Sequence, residues 1–241
     1  MASGDFPFDP PAAPPSPGRM LFELLAPRES LRLPARLPGL LRRRAGRLET
    51  VLLVPGLGAT DASMLPLRTF LRRLGHDARS VGFGRITGDV EGQMIRLGEL
   101  ASKTSKEIGR PIALVGWSIG GVLSREAARD HPLAISRIIT FGTPVVGGPA
   151  FSQVARRYDA ATIKSIADTV EERNRDLLQV PVTAMWSRID GVVAPSACFD
   201  RATPGAEHVE VRSSHFGMGI DPDVWRVIAD RLAAEPGRPT P

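Results

Sequence analysis

The chain has 241 residues, of which 42% are hydrophobic, and this is enough for one globular domain with a sizeable core. Its formal net charge is +5, and the positive excess is concentrated in residues 19–47, where eight arginines stand against two glutamates. Leucines and prolines, not regularly spaced aromatic residues, separate these arginines, so we expect no nucleic-acid partner. The single cysteine, Cys198, excludes an intrachain disulfide. The sequence contains no run of about 18 consecutive apolar residues, the length needed to cross a membrane. Because residues 1–18 hold no basic stretch typical of a secretion signal, the sequence predicts a soluble, cytoplasmic protein.

The predicted organisation is an N-terminal arm, residues 1–47, followed by a larger domain, residues 48–241. Proline is dense in residues 1–18, which we expect to be extended or disordered because proline fixes φ and removes a hydrogen-bond donor. Residues 20–25 are a short helix candidate, and the prolines that follow are expected to interrupt any longer helix. Residues 19–47 are interpreted as a segment that packs on the domain, with peripheral membrane contact as the alternative. A further hypothesis is that this segment lies over the functional site.

From Leu48 onward, short apolar runs alternate with longer helical patterns. The apolar runs are each too short for a helix and cover residues 51–54, 78–83, 112–117, 138–141, 182–186 and 209–212. The helix candidates cover residues 64–74, 90–108, 121–130, 168–178 and 222–234. Strands that alternate with helices form a parallel sheet with helices on its faces, so the pattern predicts an α/β fold with a mostly parallel central sheet.

The segment Gly116–Gly121 has Gly-x-Ser-x-Gly spacing around Ser118 and lies between a predicted strand and a predicted helix. A turn of this kind holds the serine in a strained backbone conformation with its hydroxyl exposed, and the glycines let other backbone come close. The N-terminus of the following helix directs N–H groups toward developing negative charge. Gly and Ser are common enough for the spacing to arise by chance, but the strand before and the helix after favour Ser118 as a nucleophile.

Attack by Ser118 on a carbonyl group would place negative charge on oxygen, and N–H donors held in place for that charge stabilise the transition state. The first expected donor is the N–H of Ile119. The second is expected from the loop 55–58, with Leu57 as the preferred donor and Gly58 as the alternative. An ordinary turn between a strand and a helix would also use glycine here, because glycine accepts positive φ.

His215 is the predicted general base among the four histidines. It lies in a loop between the last predicted strand and the last predicted helix, and loops at the carboxyl ends of strands are where a parallel sheet presents functional groups. His208, beside that strand, is the alternative. His131 at a helix end has a structural interpretation, and His76 precedes the serine in the chain.

Asp190 is the predicted acid partner of His215, because it directly follows the predicted strand 182–186 and lies between the serine and the histidine in the chain. Its carboxylate would hold the tautomer of His215 and stabilise the imidazolium. Asp200 is the alternative acid, and a surface Asp-Gly turn is the competing interpretation of Asp190.

These segments together resemble the α/β-hydrolase superfamily, and within it the lipase and esterase branch, over roughly residues 50–234. The resemblance depends on Pro55–Gly58, Gly116–Gly121, Phe141–Pro144, Asp190–Gly191 and Ser214–Gly217. It implies an α/β-hydrolase fold with residues 48–241 as catalytic domain, a triad of Ser118, Asp190 and His215, and an oxyanion hole from Leu57 and Ile119. Proline precedes Gly56, unlike in the lipases with a His-Gly motif. The short insert 147–180 predicts a small or absent cap.

The resemblance implies a serine esterase or lipase that hydrolyses a small-molecule or lipid ester through an acyl-enzyme, without a metal or organic cofactor. Trp117, Phe216 and Met218 are expected to flank the chemistry and favour an apolar substrate group, although Trp117 is equally compatible with a core position. The alternatives are acyl transfer or hydrolysis of thioesters or amides by the same triad. A non-catalytic scaffold that acts through its basic arm is the alternative outside enzymes.

Overall fold

A central sheet organises the computed structural model, which describes residues 9, 11, 13–43 and 47–235. Its six strands are β1 Thr50–Val54, β2 Asp77–Ser80, β3 Ile112–Trp117, β4 Ile135–Phe141, β5 Val182–Trp186 and β6 Glu207–Glu210. Their spatial order is β2-β1-β3-β4-β5-β6, and every neighbouring pair is parallel. Each predicted apolar run overlaps one strand, and the predicted parallel sheet is confirmed. The edge strands β2 and β6 begin and end earlier in the chain than the predicted runs 78–83 and 209–212.

Helices cover both faces of this sheet. They are α1 Ala26–Ser30, α2 Arg32–Leu41, α3 Leu65–Arg73, α4 Val90–Ile108, α5 Ile119–Asp130, α6 Ala160–Arg173 and α7 Pro222–Ala233. Successive side chains of a strand point to opposite faces, so Leu53 packs with α3 and α7 while Leu52 packs with α4 and α5. All five residues of β1 are buried, as expected for a parallel strand between two helical layers.

The insert between β4 and β5 forms a small cap. It contains the 3-10 helices Gly148–Phe151 and Gln153–Arg157, followed by α6. The sequence predicted this helix at 168–178, but α6 begins at Ala160 because the Asp159 carboxylate accepts the N–H of Thr162 at 2.9 Å and caps the first turn. The N-terminal half of the insert therefore contributes to the cap as well.

The N-terminal arm is more helical than predicted. The 3-10 helix Pro17–Leu25 continues into α1 and α2, whereas the prolines were expected to interrupt any such run. Pro27 lies in the first turn of α1, where no N–H is needed, and only Pro38 lies well inside a helix. Residues 1–8, 10 and 12 of the predicted extended segment lie outside the described residues.

The apolar side of α2 faces the domain. Leu40 is buried in the core cluster that includes α7, and Leu37 and Leu41 pack against the same cluster. In contrast, Leu21 and Leu24 in the preceding 3-10 helix are exposed. Within the described ranges, no helix is both long enough and apolar enough to span a membrane.

Candidate active site

Ser118 lies in a strained turn between β3 and α5. Its φ of 55° and ψ of −125° make it the one non-glycine residue with positive φ in the described part of the chain. The neighbouring glycines permit this turn: a Cβ on Gly120 would approach the carbonyl oxygen of Val54 to 2.2 Å, and one on Gly116 would approach the nitrogen of Gly121 to 2.5 Å. The strain is of the order of 1–3 kcal/mol, and tight backbone packing around the turn holds it in place.

The loop after β1 lies against this turn. A Cβ on Gly56 would be 3.5 Å from the Cβ of Ser118, and Leu57 and Ile119 line the same cavity as Ser118. Ile119 is the first residue of α5, so its N–H has no acceptor within the helix. The alternative donor, Gly58, is wrong for this role because its N–H donates to the carbonyl of Ile86 at 2.8 Å.

Asp190 and His215 form a buried pair. Nδ1 of His215 and Oδ2 of Asp190 are 2.9 Å apart, and the residues are 3% and 0% exposed. The other carboxylate oxygen accepts the N–H groups of Val192 at 2.8 Å and Val193 at 2.7 Å. These bonds fix the orientation of the carboxylate, and the carboxylate in turn fixes the imidazole.

The alternative acid and base are engaged elsewhere. The Asp200 carboxylate forms an ion pair with Arg125 at 2.5 Å and accepts backbone N–H groups of its own turn. His208 accepts the N–H of Asp200 through Nε2 at 2.9 Å and stacks on Phe199. His131 contacts the hydroxyl of Ser102 at 3.0 Å. Of the three histidines after Ser118, the structure therefore pairs only His215 with Asp190.

The end of β4 brings the serine and the imidazole to one place. The N–H of Ser118 donates to the carbonyl of Phe141 at 2.9 Å. The next residue, Gly142, has a φ of 58°, and a Cβ there would be 2.9 Å from Nδ1 of His215. Trp117, directly before the serine, has its ring 5.9 Å from the His215 ring. The glycine is therefore needed so that the imidazole can lie against this strand end.

Two opposing effects set the pKa of His215. Burial lowers this pKa, but the charge and hydrogen bond of the Asp190 carboxylate, together with the charge of Glu23, raise it by more than burial lowers it. The net pKa lies above the ordinary value of 6.5. A raised pKa makes the neutral imidazole a stronger proton acceptor than a free histidine side chain.

The predicted substrate-flanking residues occupy three different environments. Trp117 is partly buried and stacks on Phe141, with ring centroids 6.3 Å apart. Phe216 is half exposed, with its ring edge-on to the His215 ring. Met218 is fully buried in the core, because the 3-10 helix Gly217–Ile220 turns its side chain inward. Met218 is therefore a core residue, and none of these three side chains lines the cavity that contains Ser118.

A cavity of about 520 Å³ extends from Ser118 between α5 and the cap. One face of α5 forms its floor, with Ile119, Val122 and Arg125 at helical spacing after the serine. α6 supplies the opposite wall. Its lining residues are Ser165, Ile166, Thr169, Val170 and Arg173. The spacing of these α5 residues, i, i+3 and i+6, is a signal from which this helix face could have been found, whereas nothing in the sequence of α6 identified it as a wall.

The arm contacts the loop that carries Asp190 and the loop that carries His215, which the sequence analysis did not anticipate. The Arg19 guanidinium donates to the carbonyl of Arg188 and lies 3.3 Å from that of Asp190. Glu23 and Glu29 are buried, at 8% and 6% exposure. In a sequence, two glutamates among arginines are typical of surface ion pairs, so no local signal revealed their burial.

The described residues contain no group of three or more His, Cys, Asp or Glu side chains arranged to hold a metal ion. Burial raises the pKa of the Cys198 thiol well above its ordinary value. This thiol is therefore protonated and poorly nucleophilic at neutral pH.

Several solved structures resemble this chain. Aspergillus fumigatus lipase B matches with a TM-score of 0.56 and 16% identity, over 79% of this chain and 54% of that one. Bacillus licheniformis lipase BlEst2 in its mature form matches with 0.56 and 17%, over 80% and 95%. An alpha/beta superfamily hydrolase from Oenococcus oeni PSU-1 matches with 0.55 and 13%, over 78% and 94%. Neither a family model nor a curated protein sequence matches. At these identities the likeness shows the fold, and the predicted α/β-hydrolase fold is confirmed.

Proposed function

We propose, from the α/β-hydrolase fold of this chain, that it is a serine hydrolase that cleaves carboxylic esters through an acyl-enzyme. The observation that carries the proposal is the buried hydrogen bond between His215 and Asp190 at the strand end against which Ser118 lies. A positive φ at that serine supports the same interpretation, because backbone strain of this kind is concentrated at functional sites.

In the proposed reaction, Oγ of Ser118 attacks the ester carbonyl while Nε2 of His215 accepts the hydroxyl proton. Asp190 accepts the Nδ1–H bond and stabilises the imidazolium. The N–H groups of Leu57 and Ile119 stabilise the oxyanion. The C–O bond to the alcohol then breaks, and the imidazolium gives its proton to the leaving oxygen. Water repeats these steps on the acyl-enzyme and releases the carboxylic acid.

The volume and the aliphatic part of the lining of the cavity favour an ester with an apolar group. Its volume of about 520 Å³ lies within the usual range for small-molecule sites. The lining includes the aliphatic side chains of Leu57, Ile119, Val122 and Val193. Burial of an aliphatic chain there would contribute about 0.8 kcal/mol of binding free energy per methylene group.

The test is a series of p-nitrophenyl esters from acetate to palmitate, with Ser118→Ala and a matched control. We expect Ser118→Ala to lower kcat by at least about a thousandfold. The control is Ser102→Ala, since Ser102 also contacts a histidine but lies outside the cavity. It should keep wild-type kcat and KM.

Labelling by a fluorophosphonate separates the alternatives. Labelling of the wild type that is absent from Ser118→Ala, without turnover of any simple ester, would favour acyl transfer or thioester or amide hydrolysis. Absence of both labelling and turnover in folded wild-type protein would contradict a catalytic role and favour a scaffold.

A further inference from the structure

Glu23, in the 3-10 helix Pro17–Leu25 of the arm, joins the two loops of the proposed triad. Its Oε1 accepts the N–H of Gly191 at 2.8 Å and the N–H of His215 at 3.0 Å. Its Oε2 accepts the N–H of Phe216 at 2.8 Å. One carboxylate therefore binds the residue after the acid, the base itself and the residue after the base.

Glu29, in α1, binds the residues just before the base. Its Oε1 accepts the N–H of Ser214 at 2.8 Å, and its Oε2 accepts the hydroxyls of Ser213 at 3.0 Å and Ser214 at 2.9 Å. A Cβ on Gly217 would approach Oε2 to 1.5 Å, so the loop can enclose this carboxylate only with glycine there. Together the two glutamates accept bonds along the loop from Ser213 to Phe216.

These contacts differ from the ones that attach the arm to the rest of the domain. Arg32 forms ion pairs with Asp221 and Asp223 at the start of α7, and Arg43 forms one with Asp230 farther along the same helix. Partly exposed ion pairs of this kind are enough to attach the arm to the domain, so attachment alone does not explain the buried glutamates. Burying carboxylates is costly unless hydrogen bonds compensate, and within the described ranges every hydrogen bond to the carboxylates of Glu23 and Glu29 comes from the two loops.

We propose that Glu23 is a positioning residue for His215 and Asp190, with Glu29 as its support, so that the arm is part of the catalytic apparatus. This rests on the proposed function. Glu23 acts in two ways: it fixes the backbone of both loops, and it adds a second negative charge behind the imidazole. The charged groups that face His215 are Asp190 from the acid loop and Glu23 from the arm.

The decisive variant is Glu23→Gln in the full chain. Glutamine has nearly the same shape, but it removes the charge and replaces one acceptor oxygen by an NH2 group that cannot accept a backbone N–H. We expect kcat to fall about 10- to 100-fold with little change in KM, by analogy with residues that orient the ligands of metal centres. The acid limb of the kcat/KM profile should move to lower pH, because the imidazolium has lost one of its two negative neighbours.

Arg43→Ala is the matched control, because it removes an arm contact to α7 that is remote from both loops. It should leave kcat and the pH profile unchanged. Thermal melting of both variants checks that they are folded. Should Glu23→Gln be unfolded, Glu29→Gln replaces it, with a smaller loss of kcat expected because that side chain does not contact His215 directly.

NMR titration of the His215 imidazole separates this proposal from the proposed function, because it needs no turnover. A lower imidazole pKa in Glu23→Gln supports the positioning role even in a protein that hydrolyses no ester. Wild-type kcat and an unshifted imidazole titration in folded Glu23→Gln would overturn it. Inactive wild-type protein would count against the proposed function alone.

Discussion

At the scale of single residues, the environment of His215 dictates how activity should depend on pH. The proposed base works as the neutral imidazole, and Asp190 and Glu23 raise its pKa above 6.5 despite burial. We therefore expect kcat/KM to rise with pH and to reach half its plateau above about pH 6.5. A pH–rate profile of the wild type checks this, and an acid limb centred well below pH 6.5 would contradict it.

A substitution of the acid makes a separate prediction. Asp190→Asn should lower kcat about 10⁴-fold, because an amide in this position favours the wrong tautomer of His215. A kcat measurement for the variant checks this.

The backbone at Ser118 makes another prediction, about stability. A φ of 55° with a ψ of −125° is costly for any residue with a Cβ, and glycine removes that cost. Ser118→Gly should therefore have a free energy of unfolding about 1–3 kcal/mol higher than Ser118→Ala, although both lack the proposed nucleophile. Urea denaturation of the pair measures the difference. Equal unfolding free energies would show that the turn is not strained.

The residues that could be predicted from sequence are those with a local signal. Ser118 has glycines at fixed spacing, and Asp190 and His215 each follow a recognisable strand. Glu23 and Glu29 have no such signal, because their burial depends on residues that lie 168 to 193 positions away along the chain. Met218 was expected to flank the substrate but lies in the core, for a related reason. Its closeness to His215 in the sequence does not determine the direction in which a 3-10 turn points its side chain.

At the scale of elements, α6 should control the length of the bound chain. Val170 lines the cavity, whereas Glu171, the next residue, is exposed. We expect Val170→Trp to raise KM for p-nitrophenyl octanoate while leaving that for the acetate nearly unchanged, because the larger side chain fills space that only the longer chain needs. Glu171→Trp is the control and should change neither value. An equal effect of both variants would place the bound chain elsewhere.

The element boundaries show where local chemistry decides and where it does not. The four inner strands were predictable because a parallel sheet buried on both faces requires continuous apolar runs. The edge strands β2 and β6 are only partly buried and hold polar residues, so their bounds were predicted less well. The arm was underestimated because prolines were treated as helix breakers, whereas Pro27 occupies a first turn that tolerates it. The early start of α6 depends on the cap at Asp159, a single side chain whose role is clear only once the helix is seen.

At the scale of the whole molecule, the contacts of the arm determine whether it unfolds with the domain. Leu21 in the arm is 68% exposed, so Leu21→Cys can be labelled with a fluorophore. The native Cys198 is buried with a raised thiol pKa and should not react. The three tryptophans, Trp117, Trp186 and Trp225, lie in the domain and report on it separately.

Because Glu23 and Glu29 accept hydrogen bonds from the loops around Asp190 and His215, and α2 packs on the core, we expect the label and the tryptophans to give the same denaturation midpoint in guanidinium chloride. A label at Leu133→Cys, a highly exposed position in the domain, is the control for effects of the fluorophore. An arm signal that changes at lower denaturant, before the tryptophans, would mean that the arm detaches from a folded domain. Activity measured in that interval would then fall with the arm signal if Glu23 positions His215, and would persist until the tryptophan transition if it does not.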